Sequence, residues 1–196
     1  MIHSLIKIFL ISSILYSKNQ KLEISDLNWN ILHKESILIE WSDYENQQWC
    51  KAQSVIGANI DTLQKILENK ENYPTIFKRI ERCTTYANGN VHIVLDMPFP
   101  FYGRDYIVKY TQFSEGGDII YKYSSVKNSG IPVDENYVRL INAAGEWRLH
   151  PINSNNTEVT YIWNGELGGD FPEWALTRAW LEQGKEVLNW LKSAVE

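Results

Sequence analysis

Cysteine is scarce: Cys50 and Cys83 are the only two in 196 residues. Two thiols so far apart hold neither a zinc cluster nor a small disulfide scaffold. A basic excess is missing too. Against 24 Asp+Glu stand 19 Lys+Arg, a net charge of −5, which argues against a surface built to neutralise nucleic-acid phosphates. There is no internal repeat, no low-complexity tract and no interior linker, so the length fits one domain with a short appendage. The G-x-S-x-G elbow, the H-E-x-x-H zinc helix, the P-loop and the G-x-G-x-x-G turn are all absent. What is abundant is aromatic: 8 Trp, 11 Tyr and 6 Phe, in a chain that is 44% apolar and 22% charged. That balance supports a packed core.

Residues 1–17 read as an address. Lys7 supplies the positive charge, and Ile8 to Tyr16 form an apolar stretch broken by Ser12 and Ser13. The stretch is too short to span a bilayer and has the length of a signal-peptide core. Leu15 fits the small-x-small cleavage rule poorly; a core helix or an uncleaved interfacial anchor is the alternative. On the signal reading, residues 18–196 form the exported domain, and N-terminal sequencing of secreted protein should find residues 1–17 gone. Material that still starts at Met1 would instead favour the anchor. An oxidising compartment would permit a Cys50–Cys83 disulfide; otherwise both are buried free thiols.

The remainder alternates strands and turns. Residues 26–34 read as a short helix or turn carrying Trp29. Residues 36–44 and 49–60 read as strands around the polar turn 45–48. Asp61, with Gln64 three positions on, fits a capping box, and Leu63, Ile66, Leu67 and Tyr73 continue at helical spacing until Pro74 breaks the run. Residues 79–86 and 91–97 flank Asn88-Gly89, a type I′ hairpin signal. Residues 105–113 and 119–126 flank 114–118, and 137–150 and 157–167 flank 153–156. Successive hairpins predict an antiparallel meander. Residues 172–195 read as an amphipathic helix with Leu176, Trp180, Val187, Leu191 and Ala194 on one stripe and Gly184 at its centre. The fold class is thus α+β: a curved meander with a C-terminal helix on its concave face.

Strand periodicity puts Tyr106, Val108 and Tyr110 on one face, Ile119, Tyr121 and Tyr123 on one face of the partner, and Tyr161 with Trp163 near the end. Concave, these faces would make an apolar pocket with phenol and indole groups; the alternative is ordinary core. Gly184 either packs against backbone or leaves room for a ligand. Arg104 and Asp105 point to opposite faces, Asp105 capping the preceding turn and Arg104 bracing it, or one of them touching ligand. Arg139 and Glu146 are further candidates. The histidines, His3, His33, His92 and His150, show no ligand spacing, so no metal site is expected.

Four stretches carry a resemblance. They are Trp29 followed by Val55-Ile56-Gly57-Ala58; Glu71-Asn72-Tyr73-Pro74; Pro98-Phe99-Pro100-Phe101-Tyr102-Gly103-Arg104-Asp105-Tyr106; and a final third with Val138-Arg139, Gly145-Glu146-Trp147, His150-Pro151, Thr157-Glu158-Val159-Thr160-Tyr161 and Gly168-Gly169-x-x-Pro172. In order and spacing, over residues 29–195, they resemble the START (StAR-related lipid-transfer) domains of the helix-grip superfamily, which also holds Bet v 1-like proteins and polyketide cyclases. The resemblance implies a sheet wrapped around a long C-terminal helix and an apolar tunnel for a lipid or sterol, with no cofactor. It makes Arg104, Tyr106, Tyr110, Tyr121, Tyr123, Arg139, Trp147, Tyr161, Trp163, Trp180 and Gly184 the candidate ligand-binding residues, and none catalytic. The partners expected are an apolar small molecule and transient membrane contact, with no nucleic acid. The alternatives are a polyketide cyclase or hydratase, drawing on Tyr, Arg104, Glu146 or His150, and a protein-interaction module.

Overall fold

A computed structural model describes residues 27–44, 46–169 and 171–196. Residues 1–17, read as a signal, lie outside the described residues, as does the boundary that follows them. The described chain opens on strands β1 (Asn30–Lys34), β2 (Leu38–Tyr44) and β3 (Gln47–Ile56), paired antiparallel in that order. The helix or turn expected around Trp29 is therefore an edge strand: its residues alternate too weakly to reveal it, and pairing with β2 decides. Between β2 and β3 the chain reverses at Asn46 (φ 60°), a left-handed position that asparagine tolerates.

Helix α1 (Ile60–Glu68) is capped by Asn59, not by Asp61. The Asn59 side-chain oxygen accepts the Thr62 N–H at 2.8 Å, which leaves Asp61 in the first turn beside the positive end of the helix. Pro74 likewise begins a structure that it was expected to break. After a single tight turn at Lys70–Asn72, it sits in the first turn of α2 (Tyr73–Ile76), where its missing N–H is not needed.

Strands β4 (Ile80–Thr85) and β5 (Asn90–Leu95) form the next hairpin. Its turn is not type I′, because of the two turn residues only Gly89 has positive φ. Gly89 N–H donates to Tyr86 O, and Tyr86 N–H to Asn90 O, both at 2.8 Å. That is a three-residue loop closed by a glycine bulge. The doubly left-handed turn occurs instead at Gly116-Gly117, between β6 (Gly103–Glu115) and β7 (Asp118–Ser125). The long strand expected at 137–150 is two: β8 (Tyr137–Arg139), which pairs parallel with β6, and β9 (Ala144–Asn153). Strand β10 (Asn156–Asn164) and helix α3 (Glu173–Ser193) complete the fold.

The sheet runs β1-β2-β3-β10-β9-β7-β6-β5-β4, with β8 beside β6. It is an open antiparallel sheet apart from the β6–β8 pair, and β3–β10 joins the N-terminal three strands to the last strand of the described chain. Against it α3 sets Leu176, Trp180, Gly184, Leu188 and Leu191, packed on β1–β3. Trp180 stacks on Trp41 with centroids 5.6 Å apart and donates from Nε1 to Gly165 O at 2.8 Å. The other face of the sheet carries the ion pairs Glu40–Lys51 (2.6 Å) and Glu146–Lys122 (3.2 Å) and the apolar group Leu27, Trp49 and Ile162. Cys50 and Cys83 are buried free thiols on β3 and β4; burial pushes both up, Cys83 to about 12.

Candidate functional site

One α-helix cannot cover the concave face of a sheet this wide. Helix α1 takes one part, contacting β9, and α3 seats on β1–β3. Between α3, α2, the β4–β6 region and the ends of β9 and β10 a cavity of about 680 Å³ remains. The helix wall of this cavity is Ala175, Ala179, Gln183, Val187 and Trp190. Each position lies one residue before, or next to, a member of the sheet-packing stripe, and one residue turns the helix by about 100°. Helix α3 therefore carries two neighbouring stripes, one seated on the sheet and one facing open volume.

The inner wall is aromatic. Phe77, Trp147, Tyr161 and Trp163 form a continuous stack across α2, β9 and β10, with centroid separations of 6.0, 4.2 and 4.9 Å. Tyr110 packs on Tyr123 at 5.2 Å, and the Tyr123 and Tyr161 hydroxyls lie 3.3 Å apart. Burial raises the phenols of the wall, Tyr161 to about 12 and Tyr106, Tyr110 and Tyr123 well above their ordinary value. They are hence neutral hydrogen-bonding groups at any ordinary pH. Tyr73, also on the wall, donates to Leu67 O at 2.7 Å.

Between the 96–102 loop and the start of α3 the cavity lining reaches solvent. Phe101 and Phe171 close on each other there, with centroids 4.6 Å apart. Arg104 reaches across and donates to Leu167 O (3.0 Å), Gly168 O (3.2 Å) and Tyr102 O, so it ties the two loops that frame the opening. Two large apolar side chains on this rim face solvent: Phe99 is 97% exposed and Trp174 86%. Charged groups stand on the outer wall, among them Asp96, Arg178, Glu182 and the bidentate pair Arg79–Glu186 at 2.5 and 2.8 Å.

Six of the residues expected at the site line this cavity: Tyr106, Tyr110, Tyr123, Trp147, Tyr161 and Trp163. Five do not. Arg104 is engaged by loop carbonyls. Tyr121 lies outside the cavity wall and donates to Glu68 at 3.0 Å. Arg139 binds Asp105 on the opposite face of the sheet. Trp180 and Gly184 belong to the stripe seated on the sheet. Glu146 and His150, weighed as acid–base groups, sit with Arg148 and Asp118 in a shallow charged depression on the outer face. The sequence reading assigned Val187 and Ala194 to the sheet-packing stripe, whereas Val187 lines the cavity and Ala194 is exposed, and it missed the rest of the second stripe of α3, the α2 wall and the rim. The Pro98-Phe99-Pro100-Phe101 run was the one available signal for the rim.

Gly184 faces the sheet but does not set the cavity's width. A Cβ there would stand 3.1 Å from Ile39 Cδ1 and 3.2 Å from Ala52 Cβ. Gly184→Leu is therefore expected to lower stability by about 1–3 kcal/mol through overpacking, with ligand bound per folded molecule unchanged. Denaturant titration and bound-lipid assay on one preparation check this; unchanged stability would put Gly184 elsewhere.

No family model matches the chain. An uncharacterized protein of Pseudomonas aeruginosa is 30% identical over 110 residues, 56% of this chain and 54% of that one, so the match spans about half of the relative's length. Among solved structures, human StAR-related lipid transfer protein 5 has a TM-score of 0.77 at 12% identity, covering 85% of this chain and 86% of that one. A STAR-related lipid transfer protein from Xanthomonas axonopodis has a TM-score of 0.73 at 20% identity, over 85% and 97%. The Zhui aromatase/cyclase of Streptomyces sp. R1128 has a TM-score of 0.50 at 16% identity, over 74% and 92%. At such identities the likeness is one of fold: this chain has the START-type helix-grip architecture.

Proposed function

We propose that the protein binds a lipid or another large apolar small molecule in the cavity and releases it chemically unchanged. The observation that carries this reading is the 680 Å³ aromatic-lined space beside α3, in a fold shared with lipid-transfer proteins. About ten buried methylenes supply roughly 8 kcal/mol, which lies inside the ~4–15 kcal/mol cost of association, so a ligand of this size or larger is favoured. Mass spectrometry of organic extracts from purified protein tests it. A specific stoichiometric lipid is expected; protein that comes out empty and stays empty against fatty acids, phospholipids, sterols and quinones overturns it.

The rim supports delivery at a membrane surface. Exposed Phe99 and Trp174 flank the opening, and aromatic side chains partition readily into a lipid interface. The double substitution Phe99→Ser and Trp174→Ser is expected to weaken binding to phosphatidylcholine vesicles by at least about 10-fold, since each ring buries on the order of 1.5–3 kcal/mol. Occupancy by pre-loaded ligand should not change. Equal vesicle binding by both proteins would remove the rim from the reading. The compartment we propose is extracytoplasmic, on the strength of the character of residues 1–17.

A second reading, an enzyme on the same scaffold, draws support from the fold shared with the aromatase/cyclase. It needs an acid–base pair within reach of the ligand. His92 and His150 are bound to Asp105 (2.8 Å) and Asp118 (2.7 Å) on the outer face, which leaves the ionisable wall residues Asp96, Glu166, Arg178 and Glu182, beside the Arg79–Glu186 pair, as its candidates. Recovery of bound ligand with an altered mass would favour this reading.

A further inference from the structure

The cavity's size, its donors and its charge together define a ligand class more closely, on the premise that the cavity binds a ligand at all. At ~30 Å³ per non-hydrogen atom, the share of a water molecule in the liquid, 680 Å³ takes about 20–25 such atoms. One alkyl chain or one compact ring system fits; a two-chain glycerophospholipid exceeds that volume roughly twofold.

The inner wall also has hydrogen-bonding groups without protein partners. Trp163 is 4% exposed, lines the cavity, and its indole N–H meets no acceptor among the described residues. An indole nitrogen only donates, and a buried donor left unmade is unfavourable, so an acceptor brought to it by a ligand would be stabilising. The Tyr106 and Tyr110 hydroxyls, on the same wall, form no hydrogen bond with any described residue.

Formal charge lies elsewhere. Arg79 is closed by Glu186. Lys70, whose ammonium lies 4.5 Å from the Tyr110 ring centroid, donates to Leu67 O and does not line the cavity. Of the ionisable lining side chains outside the Arg79–Glu186 pair and the tyrosines, Asp96, Glu166 and Glu182 are acidic and Arg178 alone is basic. A carboxylate or phosphate drawn inward would shed its hydration among rings, with Arg178 on the outer wall the one lining cation outside the Arg79–Glu186 pair.

We infer that the cavity takes a neutral single-chain or single-ring-system amphiphile, its accepting oxygen (carbonyl, ester or hydroxyl) held among Trp163, Tyr106 and Tyr110. Delipidated protein should be titrated, by intrinsic fluorescence and native mass spectrometry, with methyl palmitate, 1-hexadecanol, hexadecane, palmitate at pH 8 and dipalmitoyl phosphatidylcholine. The ester and the alcohol should bind tighter than the alkane and the anion, and the phospholipid should not load. Trp163→Phe should cut the ester's advantage over hexadecane about 3- to 10-fold while leaving hexadecane itself unmoved. Tyr106→Phe and Tyr110→Phe, which remove one oxygen and keep the ring, supply the same comparison should Trp163→Phe fold poorly. Palmitate binding as tightly as its methyl ester, a loaded phospholipid, or an ester–alkane gap untouched by all three variants overturns the inference. Failure of every probe instead overturns the binding premise, so the two failures are distinguishable.

Discussion

Asp105→Ala is expected to destabilise the fold by about 3–5 kcal/mol at neutral pH, the usual cost of removing one partner of a buried ion pair. Asp105 is 1% exposed. It accepts from Arg139 Nε at 2.8 Å and Nη2 at 2.7 Å, and it meets His92 Nε2 at 2.8 Å. Arg139 goes on to donate to Ile131 O and Pro132 O, and Leu140 N–H to Asp105 O. The carboxylate thus ties the long β7–β9 connection and β8 to the middle of the sheet, and alanine leaves the guanidinium largely buried beside no anion. The pH dependence has a definite sign. Burial by itself would raise this carboxyl, but the hydrogen bonds and charges of Arg139 and His92 outweigh it and hold it below its ordinary value. A carboxyl depressed by folding stabilises the native state above the unfolded-state pKa, about 3.9, and ceases to do so as pH falls through the lower native value. The gap between wild type and Asp105→Ala, measured by urea titration, should be full at pH 7 and narrow below about pH 4. A gap that does not vary with pH would mean that the side chain acts by packing alone.

That network also shows where reading a sequence runs out. Alternation along a strand assigned Tyr106 and Tyr110 to one face and Tyr161 and Trp163 to one face, because the period of two is local and robust. It also separated Arg104 from Asp105. Where each charge ends was set by contacts distant in sequence: Asp105 with Arg139 on β8, and Arg104 with carbonyls of the β10–α3 loop. No spacing rule pairs residues so far apart. The helix illustrates a second limit. The apolar stripe through Trp180 and Gly184 was legible, but a stripe says that a face is buried, not whether it is buried on a sheet or against open volume. Val187, read as part of that stripe, belongs instead to the neighbouring one with Ala175, Ala179 and Gln183, and Leu188 takes its place on the sheet. The turns show a third limit. Asn88-Gly89 and Gly116-Gly117 are both good hairpin pairs, yet only the second is doubly left-handed, because loop length is fixed by the register of the strands on either side.

Ala179→Trp is expected to remove bound ligand, lowering occupancy at least about 10-fold, with stability changed by less than about 1 kcal/mol. Ala179 lies on the cavity stripe of α3, half-buried at the edge of the core and lining the open volume. An indole brings roughly 200 Å² of surface into that space. Overpacking normally costs ~1–3 kcal/mol because close-packed neighbours have to move; here the ring can enter room the protein already holds, and apolar contacts it makes with the wall offset its ordering. The ligand then meets a side chain where its own chain should lie. Gly184→Leu, a little over one turn away on the sheet-packed stripe, should do the reverse and weaken the fold without occluding the cavity. Bound lipid and denaturation midpoint, measured for both variants on the same preparations, read the two stripes separately. Full occupancy in Ala179→Trp would place the ligand somewhere other than beneath α3. A large loss of stability in that variant would mean that the volume closes in solution.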